Sequence, residues 1–137
     1  MASVYQRTLP LVDDENRAFW QGGADGRLHL PRCQACQYWI HPPSPVCPIC
    51  LSDDVADDTV SGNAVVETFT VNYRLWGQGM KVPYVIAIVQ LVEQAGLRLT
   101  TNIVDIDPEA VTMGMPVEVM FEQDDDVWLP LFRPRAR

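Results

Sequence analysis

The chain has 137 residues, 47% of them apolar and 20% charged, a composition that predicts one compact folded protein with room for a small second module. Its net charge is −8 at pH 7, and residues 51–130 hold fourteen acidic but only three basic residues. Because nucleic-acid binding takes much of its affinity from Lys and Arg contacts to phosphates, this acidic half argues against that class of partner. The longest apolar run, at 84–89, is too short to span a bilayer, and the first residues lack a segment of signal-peptide length. We therefore expect a cytoplasmic protein without membrane contact.

The N-terminal segment predicts a short helix over residues 13–21. Asp13 or Asp14 can cap its first turn, and two glycines follow its last residue. The sequence RLHL at 27–30 predicts a strand that could pair near residues 38–40. We interpret the acidic, polar stretch 51–60 as a linker.

All four cysteines lie in two C-x2-C pairs separated by ten residues: Cys33, Cys36, Cys47 and Cys50. Each pair predicts a tight knuckle that directs two sulfurs at one point, and four thiolates complete the tetrahedral coordination of Zn²⁺. No position would remain open for a substrate, so the predicted zinc is structural.

Other interpretations of the cysteines remain open. Two disulfides are disfavoured in a cytoplasmic protein, and a redox C-x-x-C would not need a second pair at this distance. His41 lies between the pairs and could replace one ligand, although the set of four is already complete and a packing role is the simpler interpretation.

From residue 61 onward the pattern predicts five strands and a helical turn at 107–111. The strands are expected at 63–73, 83–92, 96–104, 115–122 and 127–132. In the first, Val65, Phe69, Val71 and Tyr73 should share one face. The second is apolar on both faces, which is typical of a covered central strand. Pro130 suggests that the last strand lies at an edge.

The order of three strands, a helical turn and two strands is typical of the OB-fold, a five-stranded Greek-key barrel. A small β-sandwich is the alternative. The predicted fold class is mostly β, with an N-terminal helical segment at 1–26, a rubredoxin-like zinc ribbon at 27–52 and the OB-fold barrel at 61–133.

No catalytic residue is predicted, because the residues that nucleophilic catalysis needs do not occur in a recognisable pattern. The chain has two histidines, both in or beside the cysteine region, and no G-x-S-x-G motif. The glycine-containing loop at 74–82 joins the first two barrel strands, and in OB-folds this loop and the last hairpin often contact ligands. Candidate ligand-binding residues are therefore Arg74, Trp76, Met80, Lys81 and Trp128, with packing at the barrel edge as the alternative.

Three stretches in this order carry a resemblance to a known family. They are DDENRAFWQGGADGRLHL, the pairs CQAC and CPIC around HPPSPV, and GMPVEVMFEQDDDVWLPLF. Together they resemble the acyl-CoA-associated zinc-ribbon/OB-fold family, first described as domain of unknown function thirty-five. The likeness covers nearly the whole chain.

The resemblance implies a non-catalytic subunit that assembles with a thiolase-superfamily enzyme, with two copies of each chain. The partner would act on acyl-CoA thioesters, either as a thiolase or as an aldolase that cleaves a steroid side chain by a retro-aldol reaction. The subunit would carry structural zinc and help to shape the channel for the coenzyme A thioester. A nucleic-acid-binding ribbon and OB module, or an enzyme in its own right such as an acyl-CoA hydratase or thioesterase, are the alternatives.

Overall fold

The computed structural model of the protein describes residues 8–76 and 81–136. It contains a short helix α1 (Arg17–Gln21), a 3-10 turn (Gly22–Asp25), seven strands and a second 3-10 turn (Pro108–Ala110). The strands are β1 (Leu28–Cys33), β2 (Val55–Val60), β3 (Asn63–Asn72), β4 (Tyr84–Leu91), β5 (Arg98–Ile103), β6 (Pro116–Asp124) and β7 (Val127–Pro134). In the described residues, no helix is both long and apolar enough to cross a membrane.

The N-terminal helix is shorter than the sequence pattern suggests. The Asp13 carboxylate accepts hydrogen bonds from the backbone N–H groups of Glu15 and Asn16, each at 2.9 Å. These bonds stabilise a turn ahead of the helix, because an Asp side chain bonded to nearby N–H groups competes with helical geometry. The predicted helix cap at Asp13 or Asp14 is therefore wrong, because α1 begins only at Arg17 and its N-cap is Asn16, whose side chain makes no capping hydrogen bond.

The zinc-ribbon region is built on a two-stranded antiparallel sheet. β1 pairs with β2 from Leu28 opposite Val60 to Cys33 opposite Val55. The second half of the stretch interpreted as a linker is therefore a strand. The expected pairing near residues 38–40 exists as a single bridge between Arg32 and Trp39.

The five later strands form a closed barrel in the order β3-β4-β5-β7-β6. The 3-10 turn between β5 and β6 is capped by Asp107, whose carboxylate accepts the Glu109 N–H at 3.0 Å. Five strands with a helical turn after the third match the predicted OB-fold, and the β-sandwich alternative is wrong.

A β-bulge in β3 changes which side chains face the barrel interior. Ala64 and Val66 are buried, and the register then shifts between Val66 and Thr68. Beyond the bulge, Phe69 and Val71 pack against the core as predicted. The assignment of Val65 to that face is wrong, because a bulge adds one residue and reverses the alternation of faces.

Two further expectations about the barrel are wrong. Val85, Ala87 and Val89 of β4 are buried, but Ile86 on the outer face is 38% exposed, so this strand is covered on one face only. Pro130 is not at an edge, because β7 lies between β5 and β6. Proline has no backbone N–H to donate to a neighbouring strand. The Pro130 carbonyl instead accepts a hydrogen bond from the Thr101 hydroxyl at 2.9 Å, which links β7 to β5.

The helix, the ribbon and the barrel share one hydrophobic core. Phe19 of α1, Leu28 and Leu30 of β1, and Trp39 of the ribbon are buried in the same cluster as the barrel side chains. The ring of Phe121 on β6 packs directly against Gly23, where a Cβ atom would collide with it. The cysteine region is therefore fixed against the barrel by packing.

Candidate metal centre and binding surfaces

The four cysteines come together at one point of the ribbon. Their sulfurs all lie within 4.8 Å of one another, with Cys33 and Cys50 at 3.5 Å and Cys36 and Cys47 at 3.6 Å. Four thiolates at about 2.3 Å from one Zn²⁺ would be separated by about 3.8 Å. The sulfur positions therefore fit a tetrahedral zinc site. None of the four thiols forms a disulfide, and their separations far exceed the S–S bond length of about 2.0 Å.

The two knuckles have matching backbones. The N–H of Gln37 donates to the Cys33 carbonyl at 2.9 Å, and the N–H of Leu51 donates to the Cys47 carbonyl at 3.0 Å. The same residues, Gln37 and Leu51, have positive φ values of 68° and 64°. In each knuckle a backbone N–H also points at the first sulfur at 3.4 Å. Backbone N–H groups that point at a sulfur stabilise its thiolate form, so both knuckles favour an ionised first cysteine.

The thiol pKa values show why the cluster favours a cation. Burial of Cys47 opposes ionisation, but the backbone N–H groups of Cys50 and Ile49 outweigh it and lower its pKa to about 7. For Cys36, the backbone N–H of Tyr38 favours the thiolate, but desolvation and the neighbouring thiols outweigh it and raise its pKa to about 12. Four thiols this close cannot all ionise unaided, and a dication removes the conflict. The donor set thus fits zinc, with all four tetrahedral positions supplied by the chain.

Both histidine rings contact other residues of the chain. The imidazole of His29 forms a 3.0 Å hydrogen bond with the Asp25 carboxylate, and its ring packs on Gly22. His41 stacks on Phe19 at 4.9 Å between ring centroids, and its largely buried ring has a pKa lowered to about 4 by desolvation. This environment agrees with the packing role expected for His41.

The loop after β3 brings together two of the predicted ligand-binding residues. The Arg74 guanidinium lies 4.5 Å from the centroid of the Trp76 ring. Asn72 fixes both, because its side-chain carbonyl accepts the Trp76 indole N–H at 3.0 Å and its amide donates to the Arg74 carbonyl at 2.8 Å. Trp76 is 67% exposed. The pair thus presents an ordered, exposed cation and aromatic face.

The other predicted ligand-binding residues lie elsewhere or outside the described part. Met80 lies outside the described residues, and Lys81 is exposed just after that gap. Trp128 is half-buried opposite Gln123 in the β6–β7 hairpin. Because β7 runs parallel to β5, this hairpin lies at the end of the barrel where β5 begins, whereas Trp76 lies at the opposite end. The structure therefore does not bring Trp128 and Trp76 together.

The outer face of β4 and β5 is where OB-folds bind nucleic acids and sugars. Here Ile86 pairs with Thr70 and Asn102, and Ile88 pairs with Thr68 and Thr100. These two rows carry no charged side chain. A basic groove, which single-stranded nucleic acid requires, is not formed by these rows.

A groove of ≈ 510 Å³ lies where α1, the ribbon loop at 41–43 and the first residues of β5 meet. Its lining is mainly aromatic and proline side chains, among them Trp20, His41 and Pro42, with Arg98 at its edge. Arg98 is bound to Glu67 at 2.6 Å, so its charge is already paired. Sequence analysis missed this groove, because its walls come from three distant segments.

The fold and the cysteine site define a zinc-ribbon protein with a C-terminal OB-fold. Residues 20–56 match the family described as the rubredoxin-like zinc ribbon domain of ChsH2, and residues 58–122 match the C-terminal OB-fold domain of ChsH2. A chain of the solved structure titled "Ltp2-ChsH2(DUF35) aldolase" is 35% identical and superposes with a TM-score of 0.84. The match covers 93% of this chain and the whole of that chain. The chain belongs to the ChsH2/DUF35 family.

Curated relatives carry several kinds of name. The probable enoyl-CoA hydratase alpha subunit of Thermomonospora curvata is 36% identical over 93% of this chain and 40% of that protein. The 3-oxo-4,17-pregnadiene-20-carboxyl-CoA hydratase alpha subunit of Mycobacterium tuberculosis is 32% identical over 91% of this chain and 39% of that protein. A DUF35 domain-containing scaffold protein of Methanocaldococcus jannaschii is 37% identical over 67% of this chain and 65% of that protein. The chain thus spans about 40% of the length of the two hydratase subunits.

Proposed function

We propose that this chain is a non-catalytic accessory subunit of a thiolase-superfamily enzyme that acts on acyl-CoA thioesters. The observation that carries the proposal is the match along the whole of one chain of the Ltp2-ChsH2(DUF35) aldolase. An aldolase partner would cleave a carbon–carbon bond in a side chain bound to coenzyme A. The name of the Mycobacterium tuberculosis relative refers to a steroid carboxyl-CoA, which supports a steroid or similar ring system as the acyl group.

In this proposal Cys33, Cys36, Cys47 and Cys50 hold a structural zinc ion. The zinc supplies cross-linking of the two knuckles and no reaction chemistry, because four thiolates leave no coordination position for water or substrate. The geometry that supports this assignment is the set of sulfur separations, all within 4.8 Å.

The exposed loop after β3 is proposed to contact the coenzyme A thioester at the edge of the partner's channel. The Arg74 guanidinium, and Lys81 across the undescribed residues, could neutralise phosphate, while the Trp76 ring offers an apolar surface to the pantetheine arm. Met80 and Trp128 remain proposed contacts by position, although Trp128 lies at the other end of the barrel. We propose a heteromer with two copies of each chain.

The test is co-expression with a thiolase-like protein of the same host, followed by light scattering and an assay of thioester cleavage. We expect a heteromer whose activity falls strongly when this chain is omitted. Substitution Trp76→Ala should raise KM for the thioester, whereas Leu11→Ala, at an 87% exposed position outside the loop, should not. Separate elution of the two proteins, with equal activity in both preparations, would contradict the proposal.

A second candidate function is the hydration of an enoyl-CoA, which the names of two relatives favour. The His29 and Asp25 side chains, 3.0 Å apart at the surface, form the one hydrogen-bonded histidine–carboxylate pair in the described residues. Incubation of the purified chain with an enoyl-CoA tests this candidate. Turnover that is lost in His29→Gln would establish it, and the accessory role predicts none.

A further inference from the structure

The second knuckle exposes an apolar surface that its fold does not require. Val46, Ile49 and Leu51 are 38%, 64% and 75% exposed. We call these three residues the knuckle tip. Single exposed apolar residues are common, but three within six positions, two of them in the hydrogen-bonded turn 47–51, are a local concentration of the kind that interaction sites show.

The first knuckle shows what the backbone alone demands. It has the same C-x2-C spacing, the same N–H to carbonyl bond and the same left-handed residue, yet it has Ala35 where the second has Ile49. At the left-handed position it has Gln37, and the second knuckle has Leu51. A bulky apolar residue is uncommon at positive φ, and exposing it to water gains nothing for folding. The apolar side chains of the second knuckle therefore need an explanation outside the fold.

The charge around the knuckle tip indicates what covers it. Asp53 and Asp54 lie two and three positions after Leu51 and are exposed, and the chain as a whole has a net charge of −8. A second copy of this chain, or an anionic lipid surface, would bring more negative charge to the same place. A different protein with basic residues around an apolar cleft is complementary in both respects.

We infer that the knuckle tip inserts into an apolar cleft with a basic rim on the thiolase-like partner. This inference rests on the proposed function and adds the surface by which the two chains dock. The two knuckle backbones are held by hydrogen bonds to their cysteines, so the tip loses little conformational freedom on binding. Such pre-ordered apolar anchors carry a large share of binding energy in interfaces.

The test transplants the first knuckle's residues into the second. The variant Ile49→Ala/Leu51→Gln should keep the zinc content and the melting temperature, because Ala35 and Gln37 already occupy the same backbone. Its affinity for the partner should fall about ten- to a hundredfold, as expected from losing two partly buried aliphatic side chains. Met113→Gln, at a position 70% exposed on the loop before β6, is the matched control and should bind normally.

The probe is the thiolase-like protein that co-purifies with the tagged wild-type chain, identified by mass spectrometry and then produced alone. Dissociation constants come from biolayer interferometry, and sedimentation velocity reports self-association of this chain. Equal affinity of the wild type and the double variant would overturn the inference while leaving the accessory role intact. A wild-type homodimer that the double variant abolishes would also overturn it, by assigning the tip to a second copy. If no thiolase-like protein binds the wild type, both the inference and the proposed function fail.

Discussion

Gln94 and Trp39 exchange two hydrogen bonds between the barrel and the ribbon. The Gln94 side-chain carbonyl accepts the Trp39 backbone N–H at 2.9 Å, and the Gln94 amide donates to the Trp39 carbonyl at 3.0 Å. Gln94 lies in the hairpin between β4 and β5, and Trp39 lies just after the first knuckle. The Arg32 guanidinium covers the Trp39 ring at 4.4 Å. The Gln94 side chain thus makes with Trp39 the two backbone hydrogen bonds that a neighbouring strand would otherwise make.

The first prediction concerns this link. Substitution Gln94→Ala removes both bonds and leaves two partly buried backbone groups of Trp39 unpaired, so the free energy of unfolding should fall by about 1–3 kcal/mol. Urea denaturation followed by tryptophan fluorescence measures the change. The control is Gln123→Ala, because Gln123 forms a single exposed bond to the Asp125 carbonyl and its loss should cost less than about 0.5 kcal/mol. Equal stabilities of the two variants would show that the link does not hold the ribbon.

The second prediction concerns the ribbon ligands. Cys47→Ser should release the zinc and unfold the ribbon, because structural zinc contributes about 10–16 kcal/mol in comparable small sites. Metal analysis and near-UV circular dichroism measure the loss. Ser44→Ala, in the same loop and bonded only to the Val46 backbone, should retain both zinc and fold. A Cys47→Ser protein with a normal spectrum and melting temperature would show that the ribbon does not depend on metal.

The clustering of the four cysteines could be predicted from the sequence because ligand type and spacing decide it locally. Four cysteines in two short pairs fix both the knuckle backbone and the number of donors. The number and order of the barrel strands were also predictable, since alternation and turn residues act over a few positions. The OB-fold assignment followed from that order.

What the sequence pattern missed depends on distant contacts. β2 has exposed Ala56, Asp57 and Asp58, so its strand conformation comes from the ladder with β1 and not from burial. The bulge in β3 reverses the face of Val65 without any local glycine or proline to mark it. The Gln94–Trp39 bonds join residues 55 positions apart, and neither residue type indicates the other.

The third prediction concerns protons released on zinc binding. The pKa of Cys36 is raised to about 12 and that of Cys50 is also raised, so both are thiols at pH 8, whereas Cys47, with a pKa of about 7, is ionised. Zinc binds thiolates, so binding at pH 8 should release at least the two protons held by Cys36 and Cys50. Below pH 7 Cys47 is also protonated, so more protons are released and zinc-linked stability falls as pH falls. Calorimetry of the metal-free protein in buffers of different ionisation enthalpy gives the count. A count of zero that does not vary with pH would contradict the thiolate site.

The fourth prediction concerns nucleic acid. The outer rows of β4 and β5, from Thr68 to Thr100 and from Thr70 to Asn102, are uncharged, and the barrel half of the chain is strongly acidic. Fluorescence anisotropy with a single-stranded oligonucleotide should therefore show no saturable binding at micromolar protein, even at low salt. Tight binding that weakens steeply with salt would revive the nucleic-acid module.

The coordination shell of the proposed zinc is the feature on which the proposed accessory role most depends. X-ray absorption at the zinc edge of the purified protein, alone and in complex with the proposed thiolase-like partner, measures that shell directly. We expect one zinc per chain with four sulfur neighbours at about 2.3 Å and no oxygen or nitrogen neighbour in either state. A shell with three sulfurs and one oxygen that changes when an acyl-CoA is added would mean that the ion takes part in the reaction, which contradicts a purely structural site.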